Sequence, residues 1–520
     1  MRHASLSLLL LVLTAACSDP KDGAGWAERA ASRNRLDEKL AALASARTAL
    51  AAAGVSPGDR KAAVAPLCEV LKQAPRARQH AAVILGELGD LAAVKALTDA
   101  IEPGKAERDV NDANAAIAAA LGALGARQAV PALARLAADK DAFTKVAAID
   151  ALGAIGDPAA VEPLLATVDD EQAEPFAVKK ALLALGRLGD ARAVPAVVRM
   201  LFAERPGVSF FPEAAFAGSQ LGAAMSAPLV AVLEGRDAEL ARWAAGHGVH
   251  PAALRAKAAQ LLGDVGGPQA ARALVAALGY AGETPEAQLF VRAFAAESLG
   301  RLRAAEAVAP LAAALGKEKN GDLRERYEDA LSRIGDPAGL PALRAAAVTG
   351  PAEQREASLE ALSRLGGQAE RPLVEAGRAA CGEGCPAARA SALEGMLARL
   401  DAARACGAEV GCWTGKLSAP RAEVRDRAAL EVRRAGGPAQ ADALLAAVTH
   451  PVETDADLEA RFHAVLALDL VARRQPLGAK GVELAAAIDK VLAADKGRTL
   501  TAGVNEDALR LAGRLRRAAR

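Results

Sequence analysis

Aromatic side chains are scarce in this 520-residue sequence: nine Phe, three Trp and two Tyr make up 3% of it. Sheets draw on β-branched and aromatic residues, so this scarcity, with Ala at roughly a quarter of the chain, argues against β architectures. Net charge is almost absent too, with 64 basic residues against 63 acidic ones. The broad basic field on which nucleic-acid binders rely is missing. Catalytic signatures are also lacking: there is no Gly-x-Ser-x-Gly, no phosphate-binding loop and no His-Glu-x-x-His. The expectation is a non-enzyme without cofactor or metal. What is abundant is apolar residues, at 52%, alongside 24% charged ones, which excludes a disordered tract.

One phrase recurs along the chain: LGELGD (85–90), LGALGA (121–126), LGAIGD (152–157), LGRLGD (185–190), LGDVGG (262–267), LGRLRA (299–304), LSRIGD (331–336) and LSRLGG (362–367). Weaker copies are GSQLGA (218–223), LARLDA (397–402) and VRRAGG (432–437). Taking the fifth residue as anchor, the spacing is mostly 31 to 37 residues, with one of 44 between Gly222 and Gly266. Self-similarity at this period is the mark of a solenoid. Val146, Ile149, Leu152 and Ile155 trace one helical face before an anchor. Gly at the anchor supplies a left-handed corner, and Asp157 or Asp190 can cap the next turn of helix. Apolar residues return five and eight places later, as in Val94 and Leu97, or Val161 and Leu164. Pro is tolerated only in a helix's first turn, so Pro163 places the start of the second helix near Ala160. The small interior residues imply close packing of the two helices of a pair. The expected fold is all-α: a right-handed α-solenoid of antiparallel helix pairs, about eleven repeats in a single elongated domain.

The phrase LGxLGD followed by AVxPL resembles the short HEAT repeat of phycobilisome lyase-like proteins, over residues 58–475. That resemblance implies a surface for binding other macromolecules. Relatives of the repeat class include bilin lyases, which implies an alternative role as an enzyme or chaperone holding a small ligand in the solenoid groove. Others are deoxyhypusine hydroxylases, whose iron ligands are His-Glu pairs. None of the six His here precedes a Glu, so those ligands are missing.

The N-terminus reads as an address. Arg2 precedes an apolar run, Leu6 to Leu13, too short to span a bilayer, and then Thr14-Ala15-Ala16-Cys17. This tetrad resembles the lipobox of bacterial lipoproteins, which implies removal of residues 1–16 and lipidation of Cys17. Ser18 in place of Asp implies the outer membrane, facing periplasm or cell surface. An ordinary secretory signal is the alternative. Removing Arg2 leaves 63 charges of each sign.

In an exported chain Cys381, Cys385, Cys406 and Cys412 read as two disulfides, paired locally because each Gly-containing loop can bring its own thiols together. A four-Cys zinc site is the alternative. Cys68, in an apolar run, reads as a buried free thiol. His247 and His250 read as solvated, since no third metal ligand is indicated.

Residues 202–294 hold eight of the fourteen aromatics and the two widest anchor spacings. Their loops leave one edge of the solenoid, where repeat proteins tend to bind. Phe210, Phe211, Trp243 and Tyr280 are the candidate partner anchors, and Phe202, Phe290 and Phe294 are read as core fillers. The tether spans 17–26, an N-terminal capping helix 27–57, and C-terminal capping helices 476–520. The last helix is read as starting at the cap Asn505, its terminal arginines serving the macrodipole or an anionic membrane surface. The expected function is a protein-binding scaffold or adaptor in the cell envelope, lipid-anchored, with envelope proteins and the membrane as partners and no nucleic acid. A purely structural envelope role is the remaining alternative.

Overall fold

The computed structural model describes residues 19–282, 284–351 and 354–518. The leader, Thr14 to Ala16 and Cys17 lie outside the described residues. The protein is an all-α solenoid of antiparallel helix pairs. Among the described residues the only strands form a short hairpin, Glu204–Arg205 against Val208–Ser209. The chain divides into two compact units, one running to Val197 and taking in Glu204–Ala217, the other comprising Val198–Ala203 and everything from Gly218.

The first unit shows how the phrase builds a repeat. Helix Pro75–Leu88 ends at Gly89, whose φ of 74° is open to glycine and costly for side chains. Asp90 then accepts a hydrogen bond from the Ala92 amide at 2.9 Å, capping a 3-10 turn, Leu91–Ala93, before helix Val94–Asp99. The same order recurs at Asp157: a 3-10 turn over Pro158–Ala160, then a helix from Val161, one residue past the expected start. Val94, Leu97, Val161 and Leu164 are buried as the pattern requires.

Two expectations about packing change. The close approach lies between the first helices of successive repeats, not within a pair. A β-carbon on Gly86 would stand 3.0 Å from Ala120 Cα, one on Gly122 would stand 2.9 Å from Ala151 Cα, and one on Gly153 would stand 2.8 Å from Ala184 Cβ. In these phrases the first glycine is therefore the point where neighbouring first helices touch. At the N-terminus two helices replace the expected single cap, Gly23–Ser32 and Leu36–Ala51. Asp22 caps the first through the Gly25 amide at 2.7 Å, so the helix starts inside the expected tether.

In the second unit the anchor of one repeat is Arg303, the only non-glycine with positive φ (54°) among the described residues. Its guanidinium donates to the Ile334 and Arg433 carbonyls, each at 3.2 Å, which holds the strained corner. The last helix, Ala502–Ala518, begins before Asn505, so Asn505 is not its cap; its side chain donates to Thr501 Oγ1 instead. This helix returns onto the start of its own unit: Gln220 donates to the Arg510 carbonyl at 3.1 Å, and Arg510 pairs with Asp264 at 2.8 Å.

Candidate functional site

Of the four expected partner anchors, Phe210 is corrected outright. Only 1% of it is exposed, because the hairpin folds the ring inward beneath the Arg205 guanidinium, 5.5 Å from the ring centre. Arg205 is fixed in turn by the Asp170 and Ala173 carbonyls. Phe211 is half-buried and opens helix Phe211–Leu221. In the second unit Trp243 is half-buried and stacks on His247, ring centres 4.3 Å apart, while His247 Nδ1 donates to the Trp243 carbonyl at 2.7 Å. His250 accepts from the Ala252 amide and caps helix Pro251–Val265. Tyr280 is half-buried under Arg255. Phe202 is buried as expected, but Phe290 is 55% exposed. It lies in the second turn of helix Pro285–Leu302, beside Val291, which is buried.

Phe290 belongs to a pattern. Phe143 is 80% exposed and Phe176 59% exposed. Phe143, Phe176 and Phe290 each stand thirteen residues before an anchor, Gly156, Gly189 and Arg303. Phe143 and Phe176 open the neighbouring first helices Ala142–Ile155 and Pro175–Leu188, which touch through Gly153 and Ala184. Neighbouring helices packed on small residues run about 8–10 Å apart, so the two rings form a short apolar ridge at one level. Lys180 lies over the Phe176 ring at 5.6 Å. Isolated exposed apolar residues are ordinary, but large aromatic rings on adjacent repeats make a patch. The sequence signal was repeat register, which counting aromatics per segment does not reveal.

The second unit hides a different feature. The third residue of the phrase is Glu87, Ala123, Ala154 or Arg187 in the first unit, all exposed. In the second unit it is Asp264, Arg301, Arg333, Arg364 and Arg399, all largely buried. There the wholly buried Asp426 accepts from Arg399 at 2.7 Å, from Arg364 at 3.2 Å and from His463 Nδ1. Burial alone would raise this carboxyl, but Arg399, Arg364 and His463 hold it well below the usual range. Asp264 pairs with Arg301 and Arg510, and Asp469 with Arg473 and Arg514. The terminal arginines thus serve acceptors of their own unit: Arg516 pairs with the Asp489 carboxylate and Arg517 donates to the Gln220 amide oxygen. Clefts of about 340 and 270 Å³ border this network, lined by charged groups such as Arg326, Arg333 and Glu459, and do not suit an apolar ligand.

A cavity of about 970 Å³ lies in the first unit between helices Pro57–Val70 and Val94–Asp99. Its one thiol is Cys68, whose pKa burial pushes up, with Glu69 adding to the effect, so it stays protonated at neutral pH. Cys381 is joined to Cys385 and Cys406 to Cys412. No group of three or more His, Cys, Asp or Glu side chains arranged for a metal ion occurs among the described residues.

A family model of HEAT repeats matches residues 106–178 and 290–363. No curated protein matches the chain. Among solved structures, Kap121p bound to Nup53p is similar at 12% identity and a TM-score of 0.48, covering 91% of this chain, which spans 55% of that one. Kap95p, from a structure concerned with RanGDP, is 13% identical over 95% of this chain and 68% of its own, with a TM-score of 0.41. Human deoxyhypusine hydroxylase in complex with glycerol is 23% identical over 54% of this chain and 97% of its own, with a TM-score of 0.21.

Proposed function

We propose that this chain is a non-catalytic protein-binding scaffold of the bacterial cell envelope, anchored in the outer membrane through lipidated Cys17 and facing periplasm or cell surface. The observation that carries the binding reading is the ridge of Phe143 and Phe176 on adjacent repeats of the first unit. Aromatic rings held on rigid helices lose little entropy on docking and make strong anchors. The anchoring reading rests on the sequence Thr14-Ala15-Ala16-Cys17.

Two experiments test it. A photoreactive side chain at position 176 in the full chain should crosslink a discrete envelope protein, and one at exposed Lys95, on a second helix, should not. Phe143→Ser with Phe176→Ser should weaken that partner's binding by about tenfold or more. Equal crosslinking from both positions would remove the ridge as the site. Separately, Cys17→Ser should release the chain from the outer-membrane fraction, and retention there would refute the anchor.

A further inference from the structure

Within the second unit a cavity of about 80 Å³ lies among first helices from both ends of that unit. Four guanidiniums line it, those of Arg301, Arg433, Arg473 and Arg514, against three carboxylates, Asp264, Asp469 and Asp507. Every one of those carboxylates is paired with an arginine other than Arg433. Asp469 is taken by Arg473 at 2.8 Å and Arg514 at 2.7 Å, and Asp507 by Arg301 at 2.7 Å and Arg510 at 3.3 Å. Asp264 is shared by Arg301 and Arg510.

Arg433 is left over. It is only 3% exposed, its Nη2 donates to the Arg301 carbonyl, and its Nε and Nη1 are buried without a hydrogen-bond partner. No ion pair engages it among the described residues. Arg514 Nη1 and Arg301 Nε, on the same cavity, are also buried and unpartnered. Burial, then Arg303, Arg301 and Arg333, push Arg433 down to about 9 against the weaker attraction of Asp469, which marks a cation in a largely cationic setting. An arginine keeps its proton at physiological pH and so needs a counter-charge rather than a neutral form.

We propose that this cavity is a binding site for one small inorganic anion, chloride or a compact oxyanion, held by Arg433 and Arg514. The space suits it: it has room for more than one water, so a chloride or a compact tetrahedral oxyanion fits beside the guanidiniums. Guanidinium N–H groups in a fixed fork match such an anion. Waters alone would satisfy the donors and leave the excess charge. The anion ties helix Ala422–Ala435, which carries Arg433, to helix Ala502–Ala518, which carries Arg514, so it closes the unit on itself.

The test is equilibrium dialysis of the full chain against labelled chloride, sulfate or phosphate, at constant ionic strength in a background of gluconate. One anion should be retained at close to one per chain, and the three arms identify which. Arg433→Met should lower that binding by about tenfold or more, and Arg272→Met, at an exposed position, should not. The thermal midpoint of the wild type should rise with the retained anion at constant ionic strength, and that of Arg433→Met should not respond. Should Arg433→Met fail to fold, Arg514→Met takes its place. No retained anion in any arm, or undiminished binding by the folded variant, overturns the proposal in favour of water.

Discussion

Gly153→Ala with Ala184→Gly offers a direct test of how the first unit is assembled. In an exposed helix interior, Gly→Ala stabilises by about 1 kcal/mol, because alanine has less backbone entropy to lose. Gly153 sits in helix Ala142–Ile155, yet a β-carbon there would lie 2.8 Å from Ala184 Cβ and 3.2 Å from Ala184 Cα on the next first helix. Neither atom belongs to a flexible side chain, so the helices must separate. Overpacking of this kind costs about 1–3 kcal/mol. Taking about 2 for the clash against about 1 for propensity, Gly153→Ala should lose about 1 kcal/mol. Ala184→Gly alone should lose about 1 kcal/mol through propensity. The double variant moves the methyl to the other helix and should return close to the wild type. The coupling, about 2 kcal/mol, isolates the clash because the propensity effects cancel in the cycle. Urea unfolding followed by far-UV circular dichroism measures it, with Gly58→Ala as a control, since its β-carbon would meet only Ser56 Oγ at 3.7 Å. Additivity of the two changes within about 0.5 kcal/mol would refute the account of successive first helices touching at the phrase's first glycine.

Asp426→Asn should cost the second unit about 3–5 kcal/mol, because Arg364 and Arg399 are left as uncompensated buried cations; a loss under 1 kcal/mol in guanidinium unfolding would count against it. The carboxyls of Asp264, Asp426 and Asp469 are held below their ordinary value, so their contribution is present above the unfolded value of about 3.9 and is lost as pH falls below it. Fluorescence of the buried Trp413 should therefore report acid unfolding below about pH 4, and a transition already complete at pH 5 would contradict this. Glu328 has the opposite sign. Burial raises it to about 7, against the hydrogen bond from Ser358 and the attraction of Arg324, so its contribution is full below the unfolded value and is lost as pH rises towards 7. Glu328→Gln should therefore stabilise the unit by about 2 kcal/mol at pH 8 and leave it unchanged at pH 4; equal stability at pH 8 would refute the assignment. Reducing the two disulfides should cost about 2 kcal/mol each, and the untreated native chain should yield Cys68 as its only titratable thiol apart from Cys17, so four further thiols would overturn the pairing.

Much of the architecture was legible because repetition averages out local ambiguity. The anchors Gly89, Gly156, Gly189 and Gly335 all adopt the left-handed corner expected of them, and Asp90 and Asp157 cap the 3-10 turns after it. The rule fails at Gly366 and Gly436, whose φ is −75° in each case. There Glu370 and Gln440 accept from the amides of Gly367 and Gly437 and close the corner another way. Phe210 misled because a two-strand hairpin reversed its direction, and no periodicity signals so short an element. Phe143 and Phe176 went unnoticed because each is alone in its segment and meaningful only in register with its neighbour.

While the contact of the phrase's first glycine with the next repeat came from the structure, the sequence by itself determined the unit of construction: a glycine and an aspartate at the corner and an apolar stripe on each helix. These are local requirements of backbone conformation and side-chain volume, so they can be read one repeat at a time. Which repeat positions meet solvent was decided only by tertiary structure. The same third residue of the phrase is exposed as Glu87 or Arg187 in the first unit and buried as Arg333 or Arg399 in the second. The difference arises because helices far along the chain return onto these positions: Arg399 reaches Asp426, Arg333 reaches Glu459, and Asp264 meets Arg510 across 246 residues. A pairing over that distance depends on the small rotations accumulated from repeat to repeat, and no local pattern records their sum.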